Sequence, residues 1–185
     1  MIELRNIKLK EYFELEDKSE YDFAIKYSFN FNKEVNIFEV DELMKQPFGL
    51  IKDMQYYLNE LTWERLVEFI EKLSGIDSKK IGDTKLIDIC QFKSWIVSEI
   101  NKINLIEEQA LSYDVTEEEK QAGIDELSML GTHLQIRSLA NDDLTKYEAI
   151  RSLPYELCFT ELFTKKKLFE YQERLWKIKS KANHP

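Results

Sequence analysis

Glycine and proline are scarce in this chain, five and three among 185 residues. That leaves little material for a turn-rich β-sandwich or a disordered linker. Two cysteines cannot make a disulfide framework. Cys90 and Cys158 sit within apolar helical patterns and read as buried free thiols. Histidine is equally rare, His133 and His184, and no Cys/His set has the spacing of a metal site. No apolar run approaches the roughly 20 residues of a membrane span. The N-terminal MIELRNIKLKEYFELED is too charged for a signal peptide, so an intracellular protein is expected. The phosphate-cradling fingerprints GxxxxGK[ST] and GxGxxG are missing, as are GxSxG and CxxC. A Ser–His–Asp triad would have to use His133, which follows Gly131 at a helix start and reads as a capping or partly exposed histidine.

What is present is an ordinary apolar and charged balance, 43% hydrophobic and 33% charged, with net charge −9. At this length one domain can bury a core without staples. Nucleic-acid binders carry a basic footprint, and here only the C-terminal helix is basic. Residues 164–182 hold seven Lys/Arg against two acids, whereas residues 106–127 hold eight acids against one Lys. Such runs read as solvated helix faces. Their sharper reading is a docking polarity, in which each patch meets another protein surface.

The fold expected is all-α, mainly a helical bundle, with a small irregular or α+β segment at the N-terminus. Residues 1–45 form that arm and 46–182 the helical domain. In the arm, Ile2, Leu4, Ile7 and Leu9 suggest a short strand or extended piece. Ser19 with Asp22 suggests a weak helix cap, and Asn30, Asn32 and Asn36 favour turns. From Pro47 the helical period takes over, with Leu50, Ile51, Met54, Tyr57 and Leu58 on one stripe. Thr62 is the N-cap of a helix with an inner face of Trp63, Leu66, Val67, Ile70 and Leu73. Gly75 is its left-handed C-cap.

The longest helix starts at Asp83 or Thr84. Ile89, Phe92, Ile96, Ile100, Ile103, Ile106 and Ala110 keep one face for about seven turns. Asp114 or Thr116 ends that stretch. Thr116 and Glu119 form a capping box for a helix closed by Gly131. A short helix spans His133–Ala140, and Asp142 or Asp143 caps the next. Pro154 opens a terminal helix to about Lys181, whose aromatic residues wrap beyond a single stripe. No repeat with a period of 20–50 residues is visible.

Glu107 and Glu108, with Glu99 and Asp114 nearby, are the best candidates for carboxylate chemistry. They read as surface acids; the Glu-x-x-His motifs of a di-metal bundle are missing, and a glycosidase-type acid and base pair stays open because its geometry is three-dimensional. Arg137 is expected in a structural salt bridge with Asp142, Asp143 or Glu148. Trp63, Trp95 and Trp176 read as core or interface anchors. No catalytic, cofactor-binding or metal residue is assigned.

The order of segments carries a resemblance. SEINKINLIEEQAL is followed by TEEEKQAGIDELSMLG, and DDLTKYEAIRSLPYELCFTELFTKKKLFEYQERLWKI closes the series. Over about residues 84–180 this layout resembles the small acidic helical tail assembly chaperones of long-tailed bacteriophages and prophages. The resemblance implies a transient partner that keeps the tape-measure protein soluble and recruits major tail (tube) subunits in the cytoplasm of the bacterial host. It implies no catalysis and no cofactor; from charge and hydropathy no nucleic-acid or membrane partner is expected, and self-association is left open. It rests on layout, so it carries over no site residue. The partner-binding residues expected are Phe159, Phe163, Phe169, Tyr171 and Trp176, gripping long apolar-striped helices. The acidic 106–127 stretch would keep the complex soluble and steer basic partners. The alternatives are a permanent virion component, such as a connector or completion protein, and a small acidic host-directed inhibitor.

Overall fold

The computed structural model describes residues 6–28, 36–113, 115–128 and 130–182. The expectations placed on Ile2, Leu4, Asn30, Asn32, Asp114 and His184 lie outside the described residues. In order, the helices are α1 (Leu9–Glu14), α2 (Ser19–Phe23), α3 (Phe48–Tyr57), α4 (Trp63–Ser74), α5 (Ser78–Gly82) and α6 (Leu86–Leu111). They continue as α7 (Glu117–Gln121), α8 (Ile124–Ser128), α9 (Gly131–Leu139), α10 (Tyr147–Ser152) and α11 (Tyr155–Ala182). The protein is mainly helical, as the sequence predicts. Among the described residues there is no strand, only two isolated antiparallel bridges.

The chain gathers into two compact units. Unit 1 takes the residues before Met44 together with Asp53–Lys102, and unit 2 takes Met44–Lys52 with the residues from Ile103 onward. Residues 46–182, read from sequence as one domain, thus contribute to both units. The divisions fall inside α3 and α6.

Each unit is fastened the same way. In unit 1 the bridge pairs Lys8 with Lys85. Leu9 N–H donates to the Thr84 carbonyl at 2.9 Å and Leu86 N–H to the Ile7 carbonyl at 2.8 Å. In unit 2 the bridge pairs Pro47 with Pro154. Phe48 N–H donates to the Leu153 carbonyl at 2.7 Å and Tyr155 N–H to the Gln46 carbonyl at 2.8 Å. In both, the residue after each bridging residue is the first of a helix, and all four of those side chains are fully buried. The bridge therefore satisfies donors that a helix start leaves without an intrahelical partner. Proline suits the bridging position in unit 2 because no N–H is needed there.

In each unit a glycine faces a long cation on the neighbouring helix, on opposite sides in the two units. In unit 1 it is Gly82, three residues before the bridge, facing Lys10 on α1. In unit 2 it is Gly49, two residues after the bridge, and a Cβ there would meet Arg151 Cβ on α10 at 2.9 Å. Lys10 and Arg151 hold the matching positions, so the small residue and the long cation have exchanged places.

The unit 1 core is apolar. Leu66, Phe69, Ile70 and Leu73 on α4 are buried, as are Leu86, Ile89, Cys90, Phe92, Ile96 and Ile100 on α6. Tyr12 lies edge-on to Trp63, with ring centroids 5.6 Å apart, and its hydroxyl donates to Asp22 Oδ1 at 2.5 Å. The caps of α4 form as expected: Thr62 Oγ1 accepts from Arg65 N–H at 3.3 Å and Gly75 has φ +69°. Ser19 is not a cap. It is the first residue of α2, and its N–H donates to Asp17 Oδ1 at 2.9 Å.

In unit 2 the capping box of α7 is present, with Glu119 N–H donating to Thr116 Oγ1 at 3.2 Å and Thr116 N–H to Glu119 Oε2 at 2.8 Å. The helix after it stops early. Gly123, at φ +85°, separates α7 from α8, and Gly131 begins α9 instead of closing the preceding helix. Left-handed geometry comes cheaply to glycine, which makes Gly123 the natural break. Asp143 is the cap predicted after α9, its Oδ1 accepting from Thr145 N–H at 3.0 Å.

Candidate functional site

Two features of unit 2 stand apart from a plain core: a buried polar trio and a long, partly uncovered helix. The trio joins α3, α6 and α11. Lys52, only 4% exposed, sets its ammonium 2.5 Å from Glu107 Oε1, and the Tyr155 hydroxyl donates to the same oxygen at 2.6 Å. Glu107 is 16% exposed, so the surface reading of this acid is corrected. The Lys52 ammonium also stands 5.5 Å from the Phe48 ring centroid and 5.8 Å from that of Tyr155. Ring faces and a carboxylate together replace part of the water a buried cation loses. Burial nevertheless pulls the Lys52 ammonium below its ordinary value, with Glu107 pulling it back up. Burial, and then the Glu107 hydrogen bond, push the Tyr155 hydroxyl above its ordinary value. Its evident effect is to fix how α3, α6 and α11 meet.

The other expected carboxylates stay apart from it. Glu99 pairs with Lys102 at 2.6 Å on the surface of α6. Arg137 forms its predicted structural bridge, with Asp142. His133 is exposed on α9, its ring 5.5 Å from that of Tyr147. Both cysteines are buried, and burial raises both thiols, Cys90 to about 12. A neutral thiol is a poor nucleophile. Among the described residues no three His, Cys, Asp or Glu gather as a metal set. Nor is any described helix long and apolar enough to cross a membrane.

The uncovered helix is α11, 28 residues and about 42 Å long. It is anchored at its start by Tyr155 and Cys158, both buried. The rings of Phe48, Tyr155 and Phe159 stack in series, with centroid separations of 5.9 and 6.1 Å. Phe159 and Phe163, one turn apart, then form one wall of an open apolar groove of about 310 Å³. Ile106, Gln109 and Ala110 on α6 form the other wall. Two consecutive lysines hold α11 in place by capping other helices. Lys165 Nζ donates to the Ser138 carbonyl at the end of α9 and to Asn141 Oδ1. Lys166 Nζ donates to the Ala110 carbonyl at 2.9 Å and to the Ser112 carbonyl at the end of α6. Cations belong at those carbonyl-rich, negative helix ends.

Beyond Lys166 the helix is barely covered within its unit. Phe169 is 61% exposed, Tyr171 56% and Trp176 68%, while Phe163 is 37% exposed and Phe159 half-buried. The five aromatics predicted to bind a partner thus fall into two sets. Phe159 and Phe163 line the groove. Phe169, Tyr171 and Trp176 lie further along, and Phe169 and Trp176, seven residues apart, share a line about 120° around the helix from Phe163. Leu168 and Ile178, exposed beside them, are not among the five residues that the sequence suggests for partner binding. Their spacing from Tyr171 and Leu175 is the signal that could have found them.

No family model matches the chain, and neither a curated protein nor a solved structure does.

Proposed function

We propose that this chain is a non-enzymatic phage morphogenesis protein, a tail assembly chaperone that holds the tape-measure and major tail (tube) proteins in the cytoplasm of the bacterial host. The observation that carries the reading is α11: a long helix whose apolar side chains are left to solvent beside an open groove. Soluble monomers rarely leave contiguous apolar surface uncovered unless a partner uses it. The groove lined by Phe159 and Phe163 accepts apolar side chains of a partner helix, and the exposed aromatics beyond it lengthen the grip. The resemblance in segment order supplies the identity of the partners. The acidic run over 106–127 keeps the loaded complex soluble.

The test is co-expression of the tagged protein with tape-measure and tail-tube proteins from the genome that encodes it. Both partners should be retained on the affinity column, and Phe163→Ala should reduce their recovery. Finished particles should lack the protein. A fixed copy number in particles would instead make it a virion component, and failure to retain either partner would end the chaperone reading.

A further inference from the structure

The uncovered half of α11 carries a pattern that specifies what can lie on it. Leu168, Tyr171, Leu175 and Ile178 follow one another at steps of three, four and three residues, the spacing of a coiled-coil seam. Leu168, Tyr171 and Ile178 are more than half exposed and Leu175 is half-buried. The positions flanking such a seam are Lys167, Gln172, Arg174 and Lys179: three cations, one amide and no acid. The two acids of this stretch stand away from the seam. Glu170 pairs with Lys167 at 3.0 Å and with Arg174 at 3.9 Å, and Glu173 pairs with Lys177 at 3.3 Å.

We infer that this strip docks an amphipathic helix of a different protein, one whose apolar seam is flanked by Asp or Glu. The inference rests on the partner-binding reading of α11 and adds the chemistry of the partner. A second copy of α11 is a poor occupant in either direction. Parallel pairing sets Arg174 against Lys179, and antiparallel pairing sets cation against cation along the same edges. The acidic stretch of a second copy does not serve either: α7 (Glu117–Gln121) contains no apolar side chain to enter the seam, α8 (Ile124–Ser128) is only five residues long, and at the end of α6 Glu107 is held by Lys52. An anionic bilayer would attract the cations and the aromatics. The chain as a whole carries nine excess negative charges, which oppose approach to such a surface. An acidic-flanked helix satisfies seam and flanks together.

The experiment uses the full chain and two labelled peptides with the same Leu/Ile seam, one flanked by Glu and one by Lys. Fluorescence anisotropy at low salt should show the Glu-flanked peptide binding about tenfold more tightly. Leu168→Asp with Ile178→Asp should abolish its binding. Arg174→Glu with Lys179→Glu should reverse the preference between peptides. All four positions lie on the uncovered stretch, and circular dichroism checks that helix content is kept. Equal affinity for the two peptides, or a preference for the Lys-flanked one, overturns the inference. So does binding to vesicles of about 30% phosphatidylglycerol in phosphatidylcholine without binding to either peptide. If the protein still retains tape-measure and tail-tube proteins while ignoring flank charge, only this inference falls and the chaperone reading stands.

Discussion

Units 1 and 2 set their long helices off from the same kind of fastening, and the two helices then diverge residue by residue. Leu86 and Tyr155 follow equivalent bridges and are fully buried, and three residues on Ile89 and Cys158 are buried too. From there α6 continues with Phe92, Ile96 and Ile100, all buried. The matching positions of α11 are Glu161, Lys165 and Phe169. Lys165 is used to cap α9, and Phe169 is left in solvent. From Leu86 to Ile100 the face of α6 is buried within unit 1. The apolar surface of α11 is largely unspent and has moved around the helix, and this difference makes unit 2 the place to look for a partner.

The largest expected effect breaks the comparison at those matching positions. Phe92→Ala should cost about 3–5 kcal/mol of stability, as large core truncations do. Phe169→Ala should change it by less than about 0.5 kcal/mol, as exposed substitutions do. Urea unfolding of the two variants checks this, and equal losses would mean that α11 is covered in solution. Next comes the polar trio of unit 2. Glu107→Ala leaves a buried ammonium without its carboxylate and should cost about 3 kcal/mol. Lys52→Met with Glu107→Leu should restore most of the loss.

A smaller pair turns on the exchanged glycines. Gly49→Ala places a Cβ 2.9 Å from Arg151 Cβ and should destabilise by about 1–3 kcal/mol. Gly82→Ala finds only Lys10 Cβ at an ordinary 3.5 Å and should stabilise by about 0.5–1 kcal/mol. Opposite signs in thermal melts would show that the two fastenings are alike in hydrogen bonding but not in packing.

The smallest effect is shared by both units and appears at high pH. Tyr12 and Cys90 are held neutral in unit 1, each pushed up to about 12, and Tyr155 and Cys158 are raised in unit 2. Groups whose folded values lie above their unfolded ones stabilise fully below the unfolded values of 9.0 and 10.0. Above them the unfolded chain loses protons that the folded chain keeps, so stability should fall from about pH 9 toward pH 12. Tyr155→Phe should flatten part of that decline, which unfolding at a series of pH values would show.

Much of the helical layout was legible because its signals are local. Thr62, Gly75, Thr116, Asp143 and Pro154 each mark a boundary through the backbone groups of neighbouring residues, and the apolar period of α4, and of α6 as far as Ile103, coincides with a buried face. The misread positions depend on residues far away in the chain. Gly131 reads as a stop, whereas the break falls at Gly123 and Gly131 opens α9. Glu107 resembles any surface acid until Lys52 is brought beneath it from α3. Lys165 and Lys166 look like part of a basic patch, and only the ends of α9 and α6 reveal them as caps. Of the docking surface, the aromatics were visible by type. The groove needed α6 to supply its second wall, and the seam needed exposure data to single out Leu168 and Ile178.

The two bridges also set a timetable. Synthesis runs from the N-terminus, and Pro47 emerges long before Pro154. At ordinary elongation rates the interval is on the order of ten seconds. During it Phe48 lacks the Tyr155 ring that stacks on it, and the chain between must later close as one long loop. The start of α3 is therefore open to wrong associations while the protein is being made. In this chain, a molecule read as a guardian of other proteins carries its own moment of vulnerability at residues 47–52.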